Sequence, residues 1–198
     1  MKIVIASNNP HKIFEIQNIF QNNLSKQIEV ISPSQIVKNP IKVEETGATL
    51  EDNAFLKAIA IFSATGFSSL ADDTGLEIDA LGNSPGVKSA RYAGEYASDS
   101  DNRNKVLKEL YGKKNRNAQF KTVICFHDGV RTLFSEGTCK GQILLEERGS
   151  GGFGYDSLFK PEGCNLSFAE MDLDAKNKIS HRGIALQNLM LLFRKYYE

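Results

Sequence analysis

The chain has 198 residues, of which 41% are apolar, and its 24 Lys plus Arg balance 24 Asp plus Glu. That is enough for one globular unit with room for two lobes, and it excludes the general positive field that binds nucleic acid non-specifically, although a small anionic substrate needs only a local cluster. The opening MKIVIASNN is too short for a secretion signal, no stretch approaches the roughly 20 apolar residues that span a bilayer, and Cys125, Cys139 and Cys164 form no paired motif. A cytoplasmic protein with no membrane partner and no disulfide framework is expected.

KIVIA, residues 2–6, reads as a buried strand, and IFEIQNIFQNNL places Ile13, Ile16, Phe20 and Leu24 at helical spacing. IEVIS from Ile28 predicts a second short strand, before a polar loop with Pro33 and Pro40. Thr49 and Asp52 form a capping-box pattern that opens a helix to about Thr65, with Gly66 as its stop. SSLADDTGLEI predicts an apolar strand ending in two acids, a turn on Thr74 and Gly75, and a second apolar run. Consecutive strand residues face opposite sides, so Asp72 and Asp73 must have different roles. DSDNRNKVLKELYG, with polar caps at its start and Gly112 at its end, predicts a short helix, and AQFKTVICFHDGVRTLFSEGTCKGQILLEE predicts two long strands joined at Asp128-Gly129. GSGGFGYDSLF leads into a further short strand, and from Ile184 a stripe of Leu186, Leu189, Met190 and Phe193 predicts the last helix. The pattern is α/β with a mixed sheet, and no repeat or linker divides residues 1–198.

Five short stretches could carry chemistry. In SNNPHK, Asn9 suits an N-cap and Pro10 the first helical position; the helix start and Lys12 could then receive a phosphate, or the residues could simply cap. EETG, residues 44–47, precedes a helix on which Asn53 and Lys57 share a face. Asp72 and Asp73 offer hard oxygens to a cation such as Mg²⁺, or satisfy a turn. The glycines of GSGGFGYD permit close backbone approach, while Phe153 and Tyr155 could cover a flat ring or pack in a core. In AKNKISHRG, Lys176, His181 and Arg182 gather donors near the start of the last helix, which Ser180 can cap. Acids for a divalent ion, two lysines for phosphates, an aromatic loop for a base and donors for its edge suit a nucleoside triphosphate. No nucleophile backed by a base stands out, which favours metal-activated water.

Six blocks in order over nearly the whole chain, IASNNPHKIFEI, EETGATLEDNAFLKA, LADDTGLEIDALGNSPGVKSARYAG, FSEGTCKGQI, GGFGYDSLF and ISHRGIAL, make the sequence resemble the inosine triphosphate pyrophosphatase family. The resemblance implies a long mixed central β-sheet flanked by helices, two lobes with a substrate cleft between them, and a homodimer. It implies hydrolysis of ITP, dITP and XTP to the monophosphate and pyrophosphate, which clears the nucleotide pool of bases prone to misincorporation. By the same resemblance Ser7, Asn8, Asn9, Pro10, His11 and Lys12 form the triphosphate loop, Glu44 and Asp73 hold Mg²⁺, Asp73 accepts the proton of the attacking water, and Lys57 contacts phosphate. Thr74, Phe153, Gly154, Tyr155, Asp156, Lys176, His181 and Arg182 match substrate contacts, the last group around the purine. Arg182 or His181 would donate to a 6-oxo group, whereas adenine's 6-amino group would meet them with a second donor. The chain departs from the family at Asn8 and His11, where glycine is frequent, at Asp52 for Glu, and at Ser157 for Pro; these alter loop geometry and remove no proposed ligand. A haloacid-dehalogenase-type phosphatase needs D-x-D-x-[TV], which ADDTG lacks. A non-catalytic nucleotide sensor would not need Glu44, Asp73 and both lysines, and a pyrophosphatase for pyrimidine or other modified nucleotides is the third reading, for which the intact SHRG block is the discriminating feature.

Overall fold

A computed structural model of the chain describes residues 1–23, 28–37 and 41–197; Leu24 and Pro40 lie outside them. Strand β1 (Lys2–Ile5) buries Ile3, Val4 and Ile5 and leads into helix α1 (Pro10–Asn23). As the sequence predicts, the helix starts on Pro10, and the Asn9 side chain accepts hydrogen bonds from the backbone of His11 at 2.9 Å and Lys12 at 3.4 Å. Strand β2 (Glu29–Ile31) is shorter than the IEVIS run. Helix α2 (Leu50–Thr65) has the expected reciprocal cap, with Thr49 and Asp52 each accepting from the other's backbone at 3.0 and 3.1 Å, and Gly66 ends it at φ 70°.

The main departure is β3 (Ser68–Ile78), which runs without a break through Asp72, Asp73, Thr74 and Gly75. The expected turn is absent because Gly75 serves a different need. A Cβ there would lie 2.9 Å from the Gly86 carbonyl oxygen, in the short antiparallel strand β4 (Ser84–Gly86). Helix α3 (Asp99–Glu109) carries a Ser98/Asp101 capping box. Strands β5 (Asn117–His127) and β6 (Thr132–Ile143) form the predicted hairpin, in whose connection the Asp128 side chain accepts from Val130 and Arg131 backbone at 2.8 and 2.6 Å. Strand β7 (Phe159–Pro161), a short helix α4 (Leu173–Ile179) that the sequence pattern did not suggest, and α5 (His181–Tyr197) complete the chain.

The described strands make one mixed sheet in the order β2-β1-β3-β5-β6-β7, with β4 paired to β3. β1 is parallel to β2 and β3, while β3–β4 and β6–β7 are antiparallel. The chain forms two compact units and passes between them inside β3, β5 and β6 and once more between His181 and Arg182. The first unit (1–73, 122–137, 182–198) has a core of Ile3, Ile5, Leu70, Ile124 and Phe126 from strands, covered by Ile16, Ile19 and Phe20 of α1 and Leu186, Leu189 and Phe193 of α5. The second (74–121, 138–181) packs Leu76, Ile78, Phe120, Ile143 and Phe159 against Val106 and Leu110 of α3 and against Phe168. Among the described residues no helix is long and apolar enough to cross a membrane. All three cysteines are free, and burial pushes the Cys125 and Cys139 thiols up to about 12 and about 11, so neither is poised as a nucleophile.

Candidate active site

In the first unit β3 delivers Asp72 and Asp73 to separate sets of partners, as strand alternation requires. Asp72, 1% exposed, accepts from the Arg182 guanidinium through Nε at 3.2 Å and Nη2 at 2.9 Å, and pairs with Lys12 at 3.1 Å. Arg182, 2% exposed, also bridges to Glu15 on α1 at 2.5 Å. Burial alone would raise the Asp72 pKa, but Lys12, Arg182 and Lys57 together outweigh it and hold the carboxyl well below its ordinary range. Lys12 is pulled the other way, because its burial exceeds the help of Asp72.

Asp73 faces α2. Its Oδ1 accepts from Lys57 at 2.9 Å and its Oδ2 from the Asn53 amide at 3.2 Å. Lys57 also reaches Glu45 at 2.7 Å, so one ammonium lies between two carboxylates. Burial raises the Asp73 pKa and like-charged Glu45 adds to the rise, with Lys57 opposing; Lys57 stays protonated because Asp73, Asp72 and Glu45 outweigh its own desolvation. Glu44, the expected metal residue, is exposed, and it is its neighbour Glu45 that reaches Lys57. Among the described residues no three acidic, His or Cys side chains converge on a ready cage. Mg²⁺ seldom needs one: it commonly takes one or two carboxylates, with substrate phosphates and water completing its shell. Hard oxygens at Asp73, Glu44 and Glu45, and an Asp73 whose charge is penalised by burial and by Glu45, fit such an ion.

The triphosphate-loop residues are arranged chiefly as caps. Ser7 Oγ accepts from Asn9 N at 3.1 Å, Asn8 donates to the Ile41 carbonyl at 3.3 Å, and His11 is exposed. Lys12 is the residue of this loop that the structure joins to the acid pair.

In the second unit the Gly-aromatic loop is a tight turn closed by Asp156, whose Oδ2 accepts from Phe153 N at 2.9 Å and from Lys176 at 2.7 Å. Gly152 is required there, since at φ 69° its Cβ would fall 2.1 Å from that same oxygen. Helix α3 holds the turn through Arg103 to the Gly154 carbonyl and Asp99 to the Gly154 amide, both 2.8 Å. Lys176, buried on α4, lies 5.3 Å from the Phe153 ring centre and 5.6 Å from that of Phe168. His181 stacks on Phe120 at 4.5 Å, and Tyr155 is a core residue whose hydroxyl donates to the Ser89 carbonyl at 2.8 Å. Thr74 follows Asp73 on β3 and is half-buried. The structure therefore groups Lys12, Lys57, Asp72, Asp73 and Arg182 in one unit, and Phe153, Asp156, Lys176 and His181 in the other.

The sequence model of the Ham1 family matches residues 3–191. The chain belongs to the Ham1 family. Among Ham1 relatives, the dITP/XTP pyrophosphatase of Christiangramia forsetii is 47% identical over 191 residues, covering 96% of this chain and 97% of that one. The dITP/XTP pyrophosphatase of Flavobacterium psychrophilum is 46% identical over 194 residues, covering 98% and 100%. The solved Ham1 protein of Staphylococcus aureus superposes with a TM-score of 0.85 at 39% identity, over 98% of this chain and 99% of that one. The mixed α/β fold is thus the Ham1 fold.

Three members of this Ham1 site escaped the sequence reading of roles. Glu15 holds Arg182, Glu45 shares Lys57, and Asn53 bonds Asp73. A signal existed for Asn53, because it lies with Lys57 in the buried stripe Leu50, Ala54, Ala58, Ile61.

Proposed function

We propose that this Ham1 protein is a nucleoside triphosphate pyrophosphatase that hydrolyses dITP, XTP and ITP to the monophosphate and pyrophosphate and so removes miscoding purines from the nucleotide pool. The observation that carries the reading is the buried Asp73 carboxylate, held between Lys57 and Asn53 with Glu45 on the same ammonium. Its raised proton affinity suits Asp73 to act as the base that accepts a proton from an attacking water. Mg²⁺ held by Asp73 with Glu44 or Glu45 would supply charge neutralisation on the phosphates and a more acidic water. The water oxygen attacks the α-phosphorus, the bond to the bridging oxygen breaks, and pyrophosphate leaves with the charge that Lys12 and Lys57 help to stabilise. An ammonium has three donors, so the Lys12–Asp72 pair is compatible with a phosphate contact.

The purine falls to Phe153, Asp156, Lys176 and His181, with Lys176 and His181 as donors to a 6-oxo group. A contact from Arg182 requires it to exchange one of its two carboxylates for the base oxygen. We place the protein in solution as a Mg²⁺-dependent homodimer, as the family resemblance implies. Hydrolysis of dITP in ¹⁸O-labelled water tests the reaction: label in the monophosphate supports attack at the α-phosphorus, and label in pyrophosphate or in orthophosphate refutes it.

A further inference from the structure

Asn53 is fully buried at the fourth position of α2, and both ends of its amide are used. Its Oδ1 accepts from the Gly47 backbone at 2.8 Å, and its Nδ2 donates to Asp73 Oδ2 at 3.2 Å. Those partners decide the amide's orientation, since a backbone N–H needs an acceptor and a carboxylate needs a donor. Among side chains of this length only Asn offers both. One turn further along α2, Lys57 donates to the other Asp73 oxygen and to Glu45. The Asp73 carboxylate is therefore held at both oxygens by one helix, and the same two residues clip the segment Glu44, Glu45, Thr46, Gly47 at two points. Gly47 permits the approach, because a Cβ there would lie 2.6 Å from Asn53 Oδ1 and 2.5 Å from Asp52 Cβ.

We infer that Asn53 is a positioning residue that sets the Glu44–Gly47 segment against Asp73 and so fixes the acidic ligands for the divalent ion. The inference rests on the proposed role of Asp73. It predicts that Asn53 acts on ion affinity and kcat and leaves the rest of substrate binding largely alone.

The test uses the full chain with three variants. Asn53→Ala removes both bonds, Asn53→Asp keeps the Gly47 acceptor and the packing but loses the donor to Asp73, and Gly47→Ala crowds the junction from the loop segment. Mn²⁺ binding without nucleotide is followed by electron paramagnetic resonance, kcat and KM for dITP are measured at saturating Mg²⁺, and thermal unfolding reports the fold. Loss of a residue that orients metal ligands commonly costs about 10- to 100-fold in metal affinity or activity. Expected are Mn²⁺ binding weakened by about tenfold or more in Asn53→Ala and Gly47→Ala, and kcat reduced by about tenfold or more in Asn53→Asp with KM within about threefold. Folded Gly47→Ala and Asn53→Asp proteins with wild-type Mn²⁺ affinity and kcat overturn the inference, even if Asn53→Ala fails to fold. Asp73→Asn run alongside separates the two proposals. If it keeps wild-type turnover the assignment of Asp73 fails, whereas an inactive Asp73→Asn beside unaffected Asn53 and Gly47 variants refutes the positioning role alone.

Discussion

Replacing Arg182 by Gln removes the centre of a buried charge chain that joins α1, β3 and α5. The guanidinium is 2% exposed and contacts Asp72, 1% exposed, and Glu15, 5% exposed. Removing one partner of a buried ion pair costs about 3–5 kcal/mol, because the surviving charge keeps its desolvation penalty. Asp72 retains Lys12 at 3.1 Å and Gln can still donate a hydrogen bond, so the lower end, about 3 kcal/mol, is expected. At about 2–4 °C per kcal/mol for a chain of this size, Tm should fall by about 6–12 °C. The pH dependence adds a second signature. Asp72 has a depressed folded-state pKa, so its contribution is present above its unfolded value of about 3.9 and is lost as pH falls through the folded value. Without Arg182 that folded value rises, so the deficit of the variant should be largest at neutral pH and shrink in strong acid. Urea unfolding followed by circular dichroism from pH 7 down to about pH 1 measures both. A loss below about 1 kcal/mol at neutral pH would refute the reasoning, since the chain would then act like a solvated surface pair.

Asp73→Asn should lower kcat by at least about 10²-fold. Because the Asp73 pKa is raised, its contribution to stability is present below its unfolded value and lost as pH rises through the folded one, so without Mg²⁺ the gap in melting temperature between wild type and variant should narrow as pH rises to 8 in a series of thermal scans. Gly75→Ala should cost about 1–3 kcal/mol in urea unfolding, because the new Cβ meets the Gly86 backbone 2.9 Å away and neither strand can give easily. Lys176→Met strands Asp156 in the second core, so steady-state kinetics should show KM for dITP raised by about tenfold or more, as for a lost charged hydrogen bond.

What the sequence made legible was local. The Thr49/Asp52 cap, Pro10 at the start of α1 and the Asp128 turn depend on neighbours within a few residues, and each stands where its pattern put it. Gly75 misled because a glycine after two acids looks like a turn, whereas its cause is a backbone eleven residues away in sequence, at Gly86. Helix α4 has only seven residues, mostly polar, and no apolar period to announce it. The site divides in the same way. The roles of Asp72 and Asp73 could be told apart from strand alternation alone, but their partners could not. Arg182 meets Asp72 from 110 positions away and Glu15 from 167, and such pairings are set by topology. The contact of Glu45 with Lys57 has no signal either, because two adjacent acids in a loop carry no period that says which one turns toward the helix.

The central claim is tested most directly by pyrophosphate release in excess Mg²⁺ from dITP, XTP, ITP, GTP and ATP, with Asp73→Asn beside the wild type. Strong preference for the first three over GTP and ATP, lost in the variant, is the predicted result. Binding of all five without pyrophosphate release, or turnover of ATP equal to that of dITP, would contradict it.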